Sequence, residues 1–396
     1  MVLVKTIRVD IDRKMFPGKR IPAELVTPAS LEIDLGVCLL MLGQLTSPSG
    51  FSRASPMRFW AWLRYFAAIS TSEDLRIIRP FVDLDPHQKT ILSDDFGVAI
   101  TTNWLLGRLG GAASIVDGRK FVLHYSSLLE RPKRSLPKVG RDKCPDYVIK
   151  DLHDKWHVLE CKGTQTSCEY RNDQLVGAIQ QKKAVKISRS IAGSKLAAGV
   201  FVARDGGKEY SSLRVIDPKP DPHIRLGAPQ QTAAQMASAR LSVSRALALS
   251  GYDRLADELA VPELGIRMPG LLTLSERRRL REPIAERLSA AKAEAAKLRG
   301  SSIEAMGQEF RGTQVEVEIP GTEFWENTGF SKVRVSQGIN ARFINEIARA
   351  PRLAPEFIDE VITEFTADQK IVVSSTEMQA AVSDSELYLA RIEFAE

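Results

Sequence analysis

Apolar and polar residues broadly alternate along Leu3-Val4-Lys5-Thr6-Ile7-Arg8-Val9-Asp10, which predicts an N-terminal strand. The run Arg58 to Ser70 is apolar and aromatic enough for a short buried helix. The Ser-, Gly- and Pro-rich stretch from Leu45 to Ser55 predicts a loop. Phe96, Ile100, Trp104 and Leu105 form an apolar stripe that predicts a helix over Ser93 to Leu109. Ser93 or Asp94 would be its cap, and Gly110-Gly111 its stop. Further on, the pattern predicts strands over Pro145–Lys150 and Trp156–Lys162, then a helix from about Asn172 to Ser190. Strands over Ala198–Ala203 and Leu213–Ile216 follow. An order of helix, strands, helix, strands describes an α/β unit.

After the proline-rich stretch Asp217 to Pro222 the character changes. Gln230 to Ser250 is Ala-rich and helical. Ser275 to Leu298 is a charged helical stretch with Leu280, Ile284, Ala291 and Leu298 on one stripe; Pro283 either kinks it or starts its second part. Val315–Ile319, Ile371–Ser375 and Leu387–Phe394 read as strands. Three regions result: residues 1–85, an N-terminal α/β region; 86–222, the central α/β unit; and 223–396, a helical and mixed α/β region suited to regulation or oligomerisation.

A length of 396 residues fits more than one domain. No run of 18 apolar residues exists, and the first ten residues read as strand rather than as a leader. The expectation is a cytoplasmic protein without a membrane partner. Cys38, Cys144, Cys161 and Cys168 form no CxxC pair, so reduced structural thiols are expected rather than a zinc site. The net charge of +6 says little by itself, but its distribution is uneven. Arg131 to Arg214 holds 18 Lys and Arg against 9 Asp and Glu. A basic segment around one candidate site points to a polyanionic partner; a solvated surface is the plainer alternative.

That candidate site is Cys144-Pro145-Asp146-Tyr147-Val148-Ile149-Lys150, a polar turn, then Trp156-His157-Val158-Leu159-Glu160-Cys161-Lys162-Gly163. Centring the turn on His153 sets Asp146 directly opposite Glu160, and opposed residues of antiparallel strands share a face. Lys162, two residues on, joins that face, while Tyr147, Leu159 and Cys161 point into the core. Two neighbouring carboxylates repel each other, so a proton, the lysine or a divalent cation must compensate. Mg²⁺ is usually held by one or two carboxylates, with water and phosphate oxygens completing its shell.

Pro145-Asp146, thirteen intervening residues and then Glu160-Cys161-Lys162 resembles the signature of the PD-(D/E)xK nuclease superfamily. The resemblance covers roughly Asp94 to Ile216. It implies a restriction-endonuclease-like fold, a central mixed sheet flanked by helices. It also implies Mg²⁺-dependent phosphodiester hydrolysis, with Mn²⁺ able to substitute. Asp146, Glu160 and the backbone carbonyl of Cys161 would be the metal ligands, and Lys162 would activate water. Family members often carry a glutamine on the next helix; Gln174 fits best, and Gln181 shares its face. Thr164, Gln181, Lys182 and Lys183 would contact nucleic acid. Members also often place an acid beside a glycine on the preceding helix. Here Asp94-Asp95-Phe96-Gly97 departs from that pattern: either Asp95 or Asp94 substitutes, or the site lacks this third acid, and Asp94 is better suited to a helix cap. His153 and His157 are assigned no catalytic part.

The expected function is a nuclease acting most readily on DNA. A homodimer or a regulatory protein partner would control it, and by analogy it would serve anti-phage defence or DNA repair. The alternatives are a catalytically silent nuclease-fold subunit that binds nucleic acid or assembles, and an RNase on the same scaffold.

Overall fold

The computed structural model describes residues 4–46, 65–128, 144–181, 185–187, 191–217, 224–226, 230–261, 282–297, 300–318, 331–376, 379–384 and 386–395. The architecture is mixed α/β. Its central sheet has seven strands, labelled in chain order: β1 (Val4–Ile11), β2 (Ser30–Asp34), β4 (Ser114–Asp117), β5 (Tyr147–Lys150), β6 (Trp156–Thr164), β8 (Ala192–Phe201) and β10 (Ser212–Ile216). The short strands β3 (Arg76–Ile77) and β9 (Ala203–Arg204) pair with each other, as do β7 (Val185–Ile187) and β11 (Ile224–Leu226). The central order is β2-β1-β10-β8-β6-β5-β4. The β6/β8 and β1/β10 pairs are parallel and the others antiparallel, so the sheet is mixed.

Helices cover both faces. On one side lie α1 (Leu35–Thr46) and, after the short α2 (Arg79–Val82), α3 (Pro86–Leu109). Their Leu39, Leu42, Phe96 and Ile100 share a core with Ile149, Leu159, Cys161 and Ala198. On the other side lie α4 (Gly118–Leu128), α5 (Cys168–Gln181) and the first half of α6 (Gln231–Ser250). Phe121, Tyr125 and Leu241 pack there on Val148, Trp156 and Val158, and Leu175 and Ala178 pack on Ala197 and Ile216.

The remaining elements are α7 (Asp253–Ala260), α8 (Ile284–Ala296), β12 (Ser301–Ala305), β13 (Gln308–Glu318), β14 (Lys332–Asn340), α9 (Ala341–Arg349), α10 (Pro355–Thr366), β15 (Ile371–Ser375), β16 (Gln379–Asp384) and β17 (Tyr388–Ala395). The six strands form an antiparallel sheet, β12-β13-β14-β17-β16-β15. It abuts the central sheet where Ile371 N–H donates to the Ala112 carbonyl at 2.7 Å. One apolar core runs through all three sequence regions, and residues 1–85 supply two strands of the central sheet. No helix among the described residues is long and apolar enough to cross a membrane.

Several expected boundaries move. Helix α3 starts seven residues before Ser93, because Asp85 caps it by accepting from His87 N–H (2.9 Å) and Gln88 N–H (3.2 Å) and Pro86 occupies its first turn. Ser93 and Asp94 are therefore mid-helix residues and not caps. Helix α5 runs from Cys168 to Gln181 rather than Asn172 to Ser190, and Val185–Ile187 is a strand paired with β11. Pro283 is the cap of α8 and so marks a start, not a kink. Helix α1 was not expected. Ten of its residues are buried, so it lacks the polar stripe that announces a surface helix. Of the helix expected over Arg58 to Ser70, residues 58–64 lie outside the described residues, and Phe66–Ala68 form a 3-10 turn.

Candidate active site

The hairpin β5–β6 pairs Tyr147 with Leu159, Val148 with Val158, Ile149 with His157 and Lys150 with Trp156. Extending that register by one residue sets Asp146 opposite Glu160. Asp151 fixes the turn: its Oδ1 accepts from His153 N–H and Lys155 N–H, both at 2.8 Å. Its Oδ2 lies 3.0 Å from His157 Nε2, and His157 Nδ1 accepts from Ser194 N–H at 3.0 Å. The imidazole therefore carries its proton on Nε2 and ties the turn to β8. His157 shares the core face with Leu159 and takes no part in the acid cluster.

Beyond the last ladder pair, side chains take over the backbone's hydrogen bonds. Cys161 N–H donates to Asp146 Oδ2 at 2.7 Å, and Asp146 N–H donates to Glu160 Oε2 at 3.1 Å. Lys162 Nζ lies 2.6 Å from Glu160 Oε1. The two carboxylates and the ammonium thus form one linked cluster. Glu160 is fully buried, Asp146 and Lys162 are half-buried, and the cluster opens toward solvent on the Lys162 side.

A third acid joins from α3. Gly97 and Gly163 lack the side chains that would hold helix and strand apart: a Cβ on Gly163 would stand 1.7 Å from the Ser93 carbonyl oxygen, and one on Gly97 2.5 Å from that of Lys162. This close crossing brings Asp94 Oδ1 within 3.2 Å of Gly163 N–H. Asp94 is exposed, and its charge acts on both Asp146 and Lys162. Asp95, one position around the helix, instead accepts from the Tyr65 hydroxyl at 2.5 Å. The signal for Asp94 was its spacing of three from Gly97, which puts both on the helix face that meets the strand.

Burial pushes the Asp146 carboxyl up to about 6, against the pull of Lys162 and Cys161 N–H; Asp117 and Asp94 push it further up. Burial and the neighbouring Asp146 push Glu160 up to about 8, with Lys162 opposing. Asp94 is exposed as a residue, but its carboxyl leans against the end of β6, and the partial loss of solvent there raises it, while Gly163 N–H and Lys162 oppose the rise. Burial lowers the Lys162 pKa, but Glu160 and Asp146 outweigh it and raise the pKa overall, so its ammonium stays charged.

No protein family, curated protein or solved structure matches this chain.

The donor set suits a hard cation. Both carboxylates resist ionising together, and a divalent ion would relieve that repulsion. Asp146 Oδ1 has no hydrogen bond among the described residues. Among those residues no three acidic, histidine or cysteine side chains are gathered as a ready-made cage. An ion here would rest on Asp146, Glu160, the Cys161 carbonyl, water and substrate oxygens, the mode Mg²⁺ accepts.

The other residues fall differently. Gln174 is half-buried on α5, and its buried Oε1 has no hydrogen-bond partner among the described residues; the same holds for both amide atoms of Gln165. Thr164 is buried, and its hydroxyl accepts from Thr166 N–H at 3.0 Å, so it organises a turn. Gln181 ends α5, and Lys182 and Lys183 lie outside the described residues. All four cysteines are free thiols.

Proposed function

We propose that this chain is a Mg²⁺-dependent nuclease of the PD-(D/E)xK type, with a restriction-endonuclease-like central unit acting on nucleic acid, DNA first. The observation that carries the reading is the registered hairpin that sets Asp146 against Glu160, with the Lys162 ammonium 2.6 Å from the Glu160 carboxylate. Asp146, Glu160 and the Cys161 carbonyl would hold the metal. When bound, the ion supplies polarisation of the scissile phosphate and a lowered pKa for a bound water. Lys162 stays protonated beside Glu160, orients the attacking water and offsets charge that develops on the phosphate. Asp94 holds the end of β6 through Gly163 N–H and adds negative charge at the mouth. The Asp151–His157 strut keeps the hairpin in register.

The complete burial of Glu160 beneath its lysine contact favours a second reading, a nuclease-fold binding subunit that does not cleave. One experiment separates them. Purified protein is incubated with plasmid, linear and single-stranded DNA and with RNA, in Mg²⁺, Mn²⁺ or chelator, beside Asp146→Ala and Lys162→Ala. Cleavage that needs the metal and both side chains supports the nuclease. Cleavage surviving both substitutions places the chemistry elsewhere. Binding without cleavage under every metal condition supports the second reading.

A further inference from the structure

A row of paired residues leads across the sheet from the acid cluster. Lys162 is matched by Gly199 on β8, Gly199 by Arg214 on β10, and Arg214 by Asp10 on β1. The next row toward the same sheet end is Thr164, Phe201, Ser212 and Arg8. Residues matched this way share a face, so Arg8 lies on the face of Lys162, three strands away. That is roughly 14 Å at about 4.8 Å per strand. It equals about four nucleotides of stacked chain at ~3.4 Å each.

Cations mark the way. Arg171 is buried, with its stem against Gly199 and its guanidinium donating to Ser212 Oγ at 2.7 Å, and no carboxylate pairs with it among the described residues. Arg214 is already neutralised by Asp10 and Asp12. Arg8 is exposed and has no ion pair among the described residues; its guanidinium lies 3.8 Å from the centre of the Tyr210 ring. Tyr210 keeps 41% of its surface exposed. Arg76 approaches the same ring at 5.4 Å and is itself held by the Arg204 carbonyl (3.1 Å), the Gly207 carbonyl (2.9 Å) and Asp74. The ring is thus fixed in place by a buried arginine while remaining open to solvent.

We propose that Tyr210 and Arg8 form a stacking platform for an unpaired base, so that the substrate carries a single-stranded segment running from the acid cluster toward this end of the sheet. The assignment rests on the nuclease reading for what lies at the other end of the strand. An aromatic face flanked by guanidinium planes takes any base, whereas a duplex keeps its bases stacked on one another. The unpaired charge of Arg8 matches the phosphate that accompanies the base.

The test is binding in chelator, where metal-dependent cleavage does not intrude. Fluorescence anisotropy is followed with a labelled oligothymidylate, an oligouridylate and a blunt duplex of equal length. Tyr210→Ala is expected to weaken single-strand binding about 5- to 150-fold. Tyr210→Phe retains it, and Tyr210→Leu, which keeps packing without a π face, loses it. Arg8→Gln weakens both single strands and lowers the salt dependence. Comparison of the two oligonucleotides tells whether the platform serves DNA, RNA or both. Wild-type affinity in Tyr210→Ala and Tyr210→Leu overturns the proposal, as does tighter binding of the blunt duplex than of either single strand. Tyr210-dependent binding without cleavage in any metal removes the nuclease reading and leaves the platform. Metal-dependent cleavage with binding indifferent to Tyr210 does the reverse.

Discussion

The ammonium of Lys162 sits 2.6 Å from Oε1 of Glu160, a side chain that is fully buried while Lys162 keeps 23% of its own side chain exposed. Among the described residues the lysine is thus the one direct counter-charge that Glu160 has. Above about pH 8, where Glu160 is ionised, Lys162→Ala leaves a buried carboxylate unpaired, and the expected loss of stability is up to ~3 kcal/mol. Glu160→Gln removes the buried charge instead and is expected to leave stability unchanged or raised. Both variants are expected to cut cleavage by at least ~100-fold. Urea denaturation beside a cleavage assay checks the pair. A Glu160→Gln variant that is both less stable and fully active contradicts this account.

The raised carboxyls give the metal-free protein a pH dependence of definite sign. Asp146 near 6 and Glu160 near 8 stand above unfolded values of about 4. From about pH 4 to 8 the folded state therefore holds protons that the unfolded state has released, and this part of the stability is lost as pH rises. The double variant Asp146→Asn, Glu160→Gln is expected to flatten that slope in chelator. Mg²⁺ needs both groups ionised, so its apparent affinity is expected to rise with pH between about 6 and 8. Denaturation midpoints across the range, with and without Mg²⁺, read both effects. An affinity that does not change over that window removes the pair as ligands.

Adjacent acids on α3 are expected to behave differently. Asp94 faces Gly163 and the cluster, whereas Asp95 receives the Tyr65 hydroxyl, and Tyr65 is buried against Phe96. Asp94→Asn keeps an acceptor for Gly163 N–H, so stability should hold while cleavage falls. Asp95→Ala removes the acceptor of the Tyr65 hydroxyl's 2.5 Å hydrogen bond and should cost about 1–3 kcal/mol. Cleavage per folded molecule should hardly change. Thermal melts and initial rates on the two variants test the division; equal rate losses in both would place Asp95 in the site as well.

Much of the hairpin was legible because its parts agree. Alternating strands, a turn centred on His153 and thirteen residues between Asp146 and Glu160 allow one register, and the structure has it. Helix α6 and strands β15 and β17 were legible from local pattern too, whereas β13 was read only over its last four residues, Val315–Glu318. What escaped depends on contacts remote in sequence. Helix α1 is apolar all round, so periodicity is silent about it. The start of α3 lay in Asp85-Pro86, outside the apolar stripe that drew attention to Ser93. Asp94 looked like a cap because nothing local shows that Gly97 and Gly163 touch. The pairing of β1 with β10 joins residues some two hundred positions apart, and no local pattern carries that.

The glycine crossing yields the sharpest contrast between two single substitutions. At Gly163 an added methyl group meets the Ser93 carbonyl oxygen at 1.7 Å and the Asp94 backbone nitrogen at 2.8 Å, and neither can move without shifting α3. Gly163→Ala is therefore expected to cost ~3 kcal/mol or more, or to push α3 away and carry Asp94 off Gly163 N–H. Gly177 is exposed in α5 with nothing within 4 Å of its added methyl group. Gly177→Ala should stabilise the protein by about 0.5–1 kcal/mol, since it only removes freedom from the unfolded chain. Equilibrium denaturation of the two variants gives the result directly. Similar stabilities for both would mean that helix and strand do not meet at Gly163, and the placement of Asp94 beside Lys162 would fall with it.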